Sequence, residues 1–358
     1  MAPRARLVHS EPMAGEAGKA ETRKAGRGRS RGRNVRITDV AAAAGVAPMT
    51  VSRVLNEPDR VSPETARKVR AAIKALGYVP NLLAGGLSSR RSRMVAAMVP
   101  TIASPIFSAP LQGFTDRLAQ AGYHVMLSLT GYRADAEEAM LPAVLARRPD
   151  ALLLTGARRG TAMRRMLAAA GVPVVEIWDS GPAFDSLVGF DHEEVGREVA
   201  KFFLAAGHTR FAVLSASDPR AEARAGGFLR AAAEGGGEII ETRRLPAPSN
   251  VSEGRQALRE IAPQLHGRTA LFCSSDLIAL GAVTEARALG IKVPDALAVC
   301  GFGDFDAGRA SEPSITTVSV DGTAIGRQAA ELLLARMAGA AAGPAVRVPF
   351  RILPRGST

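Results

Sequence analysis

Arg36–Leu87 reads RITDVAAAAGVAPMTVSRVLNEPDRVSPETARKVRAAIKALGYVPNLLAGGL. Thr38 can cap a first helix, DVAAAAG, which stops at Gly45, a residue suited to the positive φ of a tight turn. A second helix is expected from about Pro48 to Leu55, with Pro48 in its first turn and Val51, Val54 and Leu55 at core spacing. Ser62-Pro63-Glu64 opens a third, with Val69, Ile73 and Leu76 on one face and Gly77 as its stop. Two short helices joined by a glycine turn and buttressed by a third can lay the second in a DNA major groove. Met49, Thr50, Ser52, Arg53 and Asn56 are then free to face bases and phosphates. Arg53 can grip a guanine edge bidentately, worth about 1–3 kcal/mol of discrimination.

Charge supports that reading. Residues 1–93 hold 19 Lys and Arg against 7 Asp and Glu, a net of +12, whereas residues 94–358 hold 27 against 27. The whole excess lies on the first quarter of the chain, where a polyanion would be met. Residues 1–33 carry nine basic and three acidic residues without apolar periodicity and are expected to be a disordered basic tail. They lack the apolar segment of a secretory signal, and no run of about 18 apolar residues follows, so a cytoplasmic protein is expected. Cys273 and Cys300 close apolar runs and read as small buried residues.

From Met94 the pattern becomes short apolar runs alternating with amphipathic stretches. The runs are MVAAMVP, HVMLSL, ALLLT, VPVVEIW, LVGF, RFAVLS, ALFCSS and LAVCGF; helices are expected at 134–147, 195–206, 277–289 and 321–338. Such βαβ alternation predicts an α/β body of doubly wound parallel sheets, and its length suits two, with ligand at the strands' carboxyl ends. The polar and aromatic residues at those ends are Ser104, Phe107, Tyr132, Glu176, Trp178, Asp179, Asp191, Arg224, Ser275, Asp276, Asp304 and Asp306. A polyol asks for carboxylates and an aromatic face, and an anionic one for a guanidinium as well. Asp276 opens a helix, where an N-cap is the default role, and is also a ligand candidate. Trp178 is either core and pocket wall or a stacking platform; Tyr132 is equally open. No Ser/His/Asp arrangement, metal-ligand spacing or GxGxxG after the first strand is legible, so neither catalysis, metal nor cofactor is expected.

The strings DVA…AGV…TVSRVLN, VSPETARKV and LGYVPN resemble the LacI/GalR family of bacterial transcription repressors, and the resemblance runs over about residues 35–353. It implies a helix-turn-helix head at 34–80, a hinge at 81–93 and an effector-binding, dimerising body at 94–358 with a periplasmic-binding-protein-like fold. The lobe next to DNA would take 94–190 and about 318–338, and the distal lobe 191–317 and about 345–353. Pro48 and Met49 would choose the operator together with Arg53, and Leu87 would wedge into its central minor groove from a hinge helix at Asn81–Ser89. Such a wedge unstacks bases. Gly85-Gly86 within that segment predicts a hinge that folds only on DNA. Where the family usually caps the recognition helix with Ser or Thr, this chain has Ala47, a weaker cap by about 1 kcal/mol. Arg224 in RAGGF and Asp191 in VGFDHEEVG match effector-contact positions.

PMTVSR, SPIFSAPLQGF, VPVVEIWDS, VGFD and GFGDFDAGRASEPSITTV further resemble the gluconate-utilisation repressors, which implies a sugar-acid effector. Gly303 and Phe305 stand where that subgroup often has histidines, so a neutral sugar or nucleobase stays open. The chain ends without the leucine heptads of tetrameric relatives, and a homodimer is implied. A transported-sugar binding protein shares the two-lobe fold but has no DNA head. A constitutive nucleoid protein would need no pocket.

Overall fold

The structure is a computed structural model that describes residues 35–79, 92–156 and 160–358. Two compact units divide the chain, Met1–Gly85 and Gly86–Thr358. Residues 1–33, the Asn81–Ser89 hinge with Leu87, and Arg90 and Arg91 lie outside the described residues.

In the first unit, α1 (Ile37–Ala44) ends at Gly45, whose φ of 66° lets the chain turn directly into α2 (Pro48–Asn56). A short 3-10 turn at Pro58–Arg60 leads to α3 (Pro63–Leu76). Val40, Ala41, Val51, Val54, Ala66, Val69 and Ala72 form its core. Ser62 caps α3 by accepting the Thr65 N–H.

Three expectations need correction. Thr38 lies inside α1, which begins one residue earlier, and Asp39 takes the Arg36 N–H at 2.8 Å instead. Leu55 and Leu76 are exposed. The α3 core face runs through Ala66, Val69 and Ala72, small residues that let the helices approach closely, while Ile73 is only half-buried.

The second unit contains, among the described residues, two six-stranded sheets. The first has the order β11-β5-β4-β3-β1-β2. Its strands are β1 (Met94–Val99), β2 (His124–Leu129), β3 (Ala151–Thr155), β4 (Val174–Ile177), β5 (Ser186–Gly189) and β11 (Val346–Arg347). Around it lie α4 (Pro105–Gln120), α5 (Ala134–Leu145), α6 (Thr161–Ala170) and α12 (Gly322–Met337). The second sheet has the order β12-β10-β9-β8-β6-β7. It comprises β6 (Arg210–Ala216), β7 (Glu238–Leu245), β8 (Thr269–Cys273), β9 (Leu297–Phe302), β10 (Thr316–Val320) and β12 (Phe350–Leu353). Its helices are α7 (His192–Ala205), α8 (Pro219–Glu234), α9 (Val251–Ile261), α10 (Asp276–Ala288) and the single turn α11 (Asp306–Arg309).

All pairings are parallel except β10 with β12. The central strands are apolar on both faces because helices cover both, as parallel sheets require. Cys273 and Cys300 lie buried in β8 and β9, where burial pushes both thiols up.

Two lobe boundaries differ from those the resemblance implied. Residues 318–320 are not in the first lobe: β10 pairs with β9, and the chain crosses over only at Asp321, which caps α12. The terminal segment splits as well, since β11 joins β5 of the first sheet and β12 joins β10 of the second. Two strands separated by Val348-Pro349 thus complete different lobes.

Three helix pairs close on reciprocal glycines. A Cβ on Gly196 of α7 would meet the Arg224 carbonyl at 1.9 Å, and one on Gly227 of α8 the Glu193 carbonyl at 2.1 Å. Gly113 and Gly326 play the same part between α4 and α12, and Gly254 and Gly281 between α9 and α10.

Candidate functional site: an exposed helix face and an interlobe cleft

In the first unit, burying Val51 and Val54 turns the opposite face of α2 outward. Met49, Arg53 and Asn56, spaced four and three apart, share that exposed face. Met49 is 64% exposed. Thr50 and Ser52 flank them half-buried, Pro48 occupies the first helical position, and the Asn56 carboxamide donates to the Ser52 carbonyl at 3.0 Å. Ala47 at the N-cap makes no side-chain bond, so the first turn lacks that support.

In the second unit, each sheet reverses strand order between its first and third strands, β1/β3 and β6/β8. Doubly wound sheets bind ligands outside such a switch point. The two crevices face one another and form a cleft with an inner cavity of about 60 Å³ and an outer mouth of about 420 Å³. Tyr132, His192 and Arg220 line both. The first lobe supplies Ser104 and Phe107 from the start of α4, Tyr132 from the end of β2 and Trp178 from the end of β4. The second supplies Arg224, Ser274, Ser275 and Phe305. Tyr132 and Trp178 both hold φ near 63°, a conformation that bulky residues adopt at a cost of about 1–3 kcal/mol.

Two guanidinium groups dominate the inner cavity. Asp218 caps α8 through the Arg220 and Ala221 N–H groups, and the helix then presents Arg220 and Arg224 one turn apart. Arg220 lies 3.7 Å from the Asp218 carboxylate and over the Phe107 ring. Arg224 is 5% exposed and donates to His192 Nδ1 and to the Ser274 carbonyl, both at 2.9 Å, while its Cζ stands 4.0 Å from the Phe302 centroid. Among the described residues no carboxylate reaches Arg224 within ion-pair distance. Burial brings its pKa down to about 10, with Asp218 opposing. Its Nε–H and the Trp178 Nε1–H are both buried without a hydrogen-bond acceptor. Burial, aided by Asp218, pushes the Tyr132 hydroxyl up to about 12. The cavity therefore offers uncompensated positive charge and unused donors beside aromatic walls, which is chemistry for an anion with an apolar or hydroxylated body.

Ser104, Phe107, Tyr132, Trp178, Arg224 and Ser275, all singled out in the sequence, line the inner cavity. Asp179 and Asp191 line only the outer mouth, where Asp179 takes the Ser180 N–H and Asp191 caps α7. Asp276, Asp304 and Asp306 do not line the cleft. Asp276 is buried and accepts from the Phe305 N–H at 2.8 Å and the Thr317 hydroxyl at 2.6 Å. Asp304 is engaged by Arg355, Arg309 and Ser319, and Asp306 is exposed on α11. Glu176 is fully buried and takes the Phe184 N–H. Short carboxylates at strand ends are drawn to nearby backbone donors, which satisfy them before any ligand can. His192, Asp218, Arg220, Ser274, Phe305 and the 247–249 loop were not expected in the cleft. The Asp-Pro-Arg-x-x-x-Arg spacing at 218–224, a capped helix start carrying two cations on one face, was the signal available for Arg220.

Residues 36–81 match the model of bacterial regulatory proteins of the lacI family, and residues 200–358 match that of a periplasmic binding protein-like domain. The chain is 36% identical over 328 residues to the HTH-type transcriptional regulator GntR of Escherichia coli K12, spanning 90% of this chain and 98% of that one. The chain belongs to the LacI family. Solved structures of other LacI-family proteins share its architecture. A LacI-family transcriptional regulator from Silicibacter pomeroyi has a TM-score of 0.84 at 32% identity, covering 90% of this chain and 99% of its own. The lac repressor dimer bound to operator and the anti-inducer ONPF has a TM-score of 0.79 at 26% identity, covering 91% and 99%. The regulators matched are transcription factors. No helix among the described residues is long and apolar enough to cross a membrane.

Proposed function

We propose that this LacI-family regulator is a homodimeric, cytoplasmic repressor of carbohydrate catabolism whose operator affinity is set by a sugar acid such as gluconate. Its two heads would place the Pro48–Asn56 helices in successive major grooves of a pseudo-palindrome, with Met49, Arg53 and Asn56 toward the bases and Thr50 and Ser52 toward phosphates. Two hinges would pair at the centre around Leu87. The observation that carries the acid effector is Arg224: a buried guanidinium whose direct polar partners are neutral, next to a second cation that Asp218 neutralises. One net positive charge in the cleft suits a carboxylate. The carboxylate end would sit against Arg224 in the inner cavity, and a polyol tail would reach the mouth, which Asp179 and Asp191 line.

Fluorescence anisotropy on a palindromic fragment from the gene's own promoter tests this at fixed salt, with gluconate, 6-phosphogluconate and neutral sugars as titrants. Release by gluconate alone is expected, and a hundredfold release requires about 2.7 kcal/mol of differential effector affinity between the two states. Tight binding unaltered by any acid sugar would discard the acid effector, and release by a neutral sugar would assign that class instead. Arg53→Ala should abolish operator preference and leave a salt-sensitive residue of non-specific binding. Retained preference would remove Arg53 from base reading.

A further inference from the structure

His192 begins α7 just after the chain crosses from the first lobe to the second, and its buried imidazole touches a polar group in each. Nε2 lies 3.1 Å from the Trp178 carbonyl oxygen, at the end of β4 in the first lobe. Nδ1 lies 2.9 Å from Nη1 of Arg224, on α8 in the second. A guanidinium can only donate, so Nδ1 accepts and the ring proton sits on Nε2, where it donates to the carbonyl. The ring packs edge-on against Phe190, with centroids 4.6 Å apart. Phe302, under the Arg224 guanidinium, closes the other side. Trp178 itself is held at φ 63°, and its N–H donates to the Val188 carbonyl, so its backbone is held on both sides of the Cα. Gly196 and Gly227 keep α7 and α8 in backbone contact, which fixes the distance between His192 and Arg224.

We infer that His192 is a positioning residue that ties Arg224, the ligand-side cation of the second lobe, to the Trp178 backbone of the first, so that occupancy of the cleft is passed between lobes through the imidazole. An anion that draws Arg224 toward itself weakens the bond to Nδ1, and the polarised chain from guanidinium to imidazole to carbonyl weakens with it. The Trp178 segment is then released from the second lobe. The effector arm of this inference rests on the acid-effector reading above; the tether itself does not.

Trp178 is the sole tryptophan, so emission excited at the red edge of the indole band, where tyrosine does not absorb, reports on this segment alone in the full-length protein. In the ligand-free protein, H192N keeps an acceptor near Arg224 but is too short to reach the Trp178 carbonyl. Acrylamide quenching of Trp178 is expected to rise at least threefold in H192N and to stay near wild type in H192Q, whose carboxamide can accept and donate at both ends. With gluconate as probe, calorimetry gives each variant its own affinity, and operator affinities are compared at gluconate concentrations that saturate that variant. The ratio of operator affinities without and with gluconate should fall at least tenfold in H192N, and H192Q should recover it. Equal quenching and an equal ratio in H192N would overturn the inference. If wild type ignores gluconate, the effector reading fails while the quenching arm still decides the tether. A measurement without variants guards against misfolding: histidine-15N spectra should show His192 neutral with its proton on Nε2, and a proton on Nδ1 would overturn the tether.

Discussion

Asp276 shows how a single carboxyl can shape the cleft without facing it. It is 1% exposed, and its two oxygens hold the Phe305 N–H and the Thr317 hydroxyl, which fixes the loop that delivers Phe305 to the cavity. Burial raises its pKa to about 6, with Thr317 and Phe305 opposing. Because the folded value lies above the unfolded one near 3.8, Asp276 contributes most to stability when neutral, and that contribution is lost as pH rises through about 6. The stability advantage of wild type over Asp276→Asn, measured by urea denaturation, should therefore shrink by up to about 3 kcal/mol between pH 4 and pH 7. A constant difference across that range would mean the carboxyl titrates normally. The sequence marked Asp276 as a residue of consequence and left its role open between cap and ligand; Ser275 is in fact the side-chain cap of α10. Residue type told little more, because whether a strand-end carboxylate meets a ligand or a peptide N–H depends on loops that fold over it. Arg224 was singled out through the resemblance of RAGGF to an effector-contact position; the fold adds that it is buried, where a guanidinium is costly unless an anion meets it.

At the level of elements, the apolar runs located nearly every central strand, since buried parallel strands carry their signal in composition. β7 was not read. EIIETRRL is an edge strand whose exposed positions hold Glu, Thr and Arg, and it reads as surface until its pairing with β6 is known. The helix-pair glycines were equally silent. In sequence each looks like a helix defect worth about 1 kcal/mol against Ala, yet in the fold each is the contact that lets two backbones meet. Gly196→Ala and Gly227→Ala should each destabilise the body by about 3 kcal/mol, since a methyl group at 2 Å from a carbonyl forces the helices apart. Gly226→Ala, one residue away with only the Arg230 side chain at 3.4 Å, is the control and should be neutral or slightly stabilising. Chemical denaturation of the three variants separates close approach from helix propensity, and equal effects at 226 and 227 would refute the contact.

For the whole molecule, the charge split and the division into two units tell the same story: a basic reader with its own small core and a charge-balanced body. A unit this small buries too little to be more than marginally stable. Calorimetry of the full chain should show a minor transition below the main one, and Val51→Ala should lower only the minor one. A single transition displaced as a whole by that change would mean the units unfold together. The two units also differ in how they can be exchanged. The head is one contiguous stretch, so a single junction between Val79 and Ser92 suffices to graft it onto another body. Neither lobe has that property. The chain passes between them near Asp191, at Asp321 and again at Val348-Pro349, and the last two strands finish different sheets. Recombination can therefore re-pair an operator-reading head with a whole effector-binding body by one crossover, whereas replacing the second lobe alone needs three in register, so the two halves of the cleft travel together.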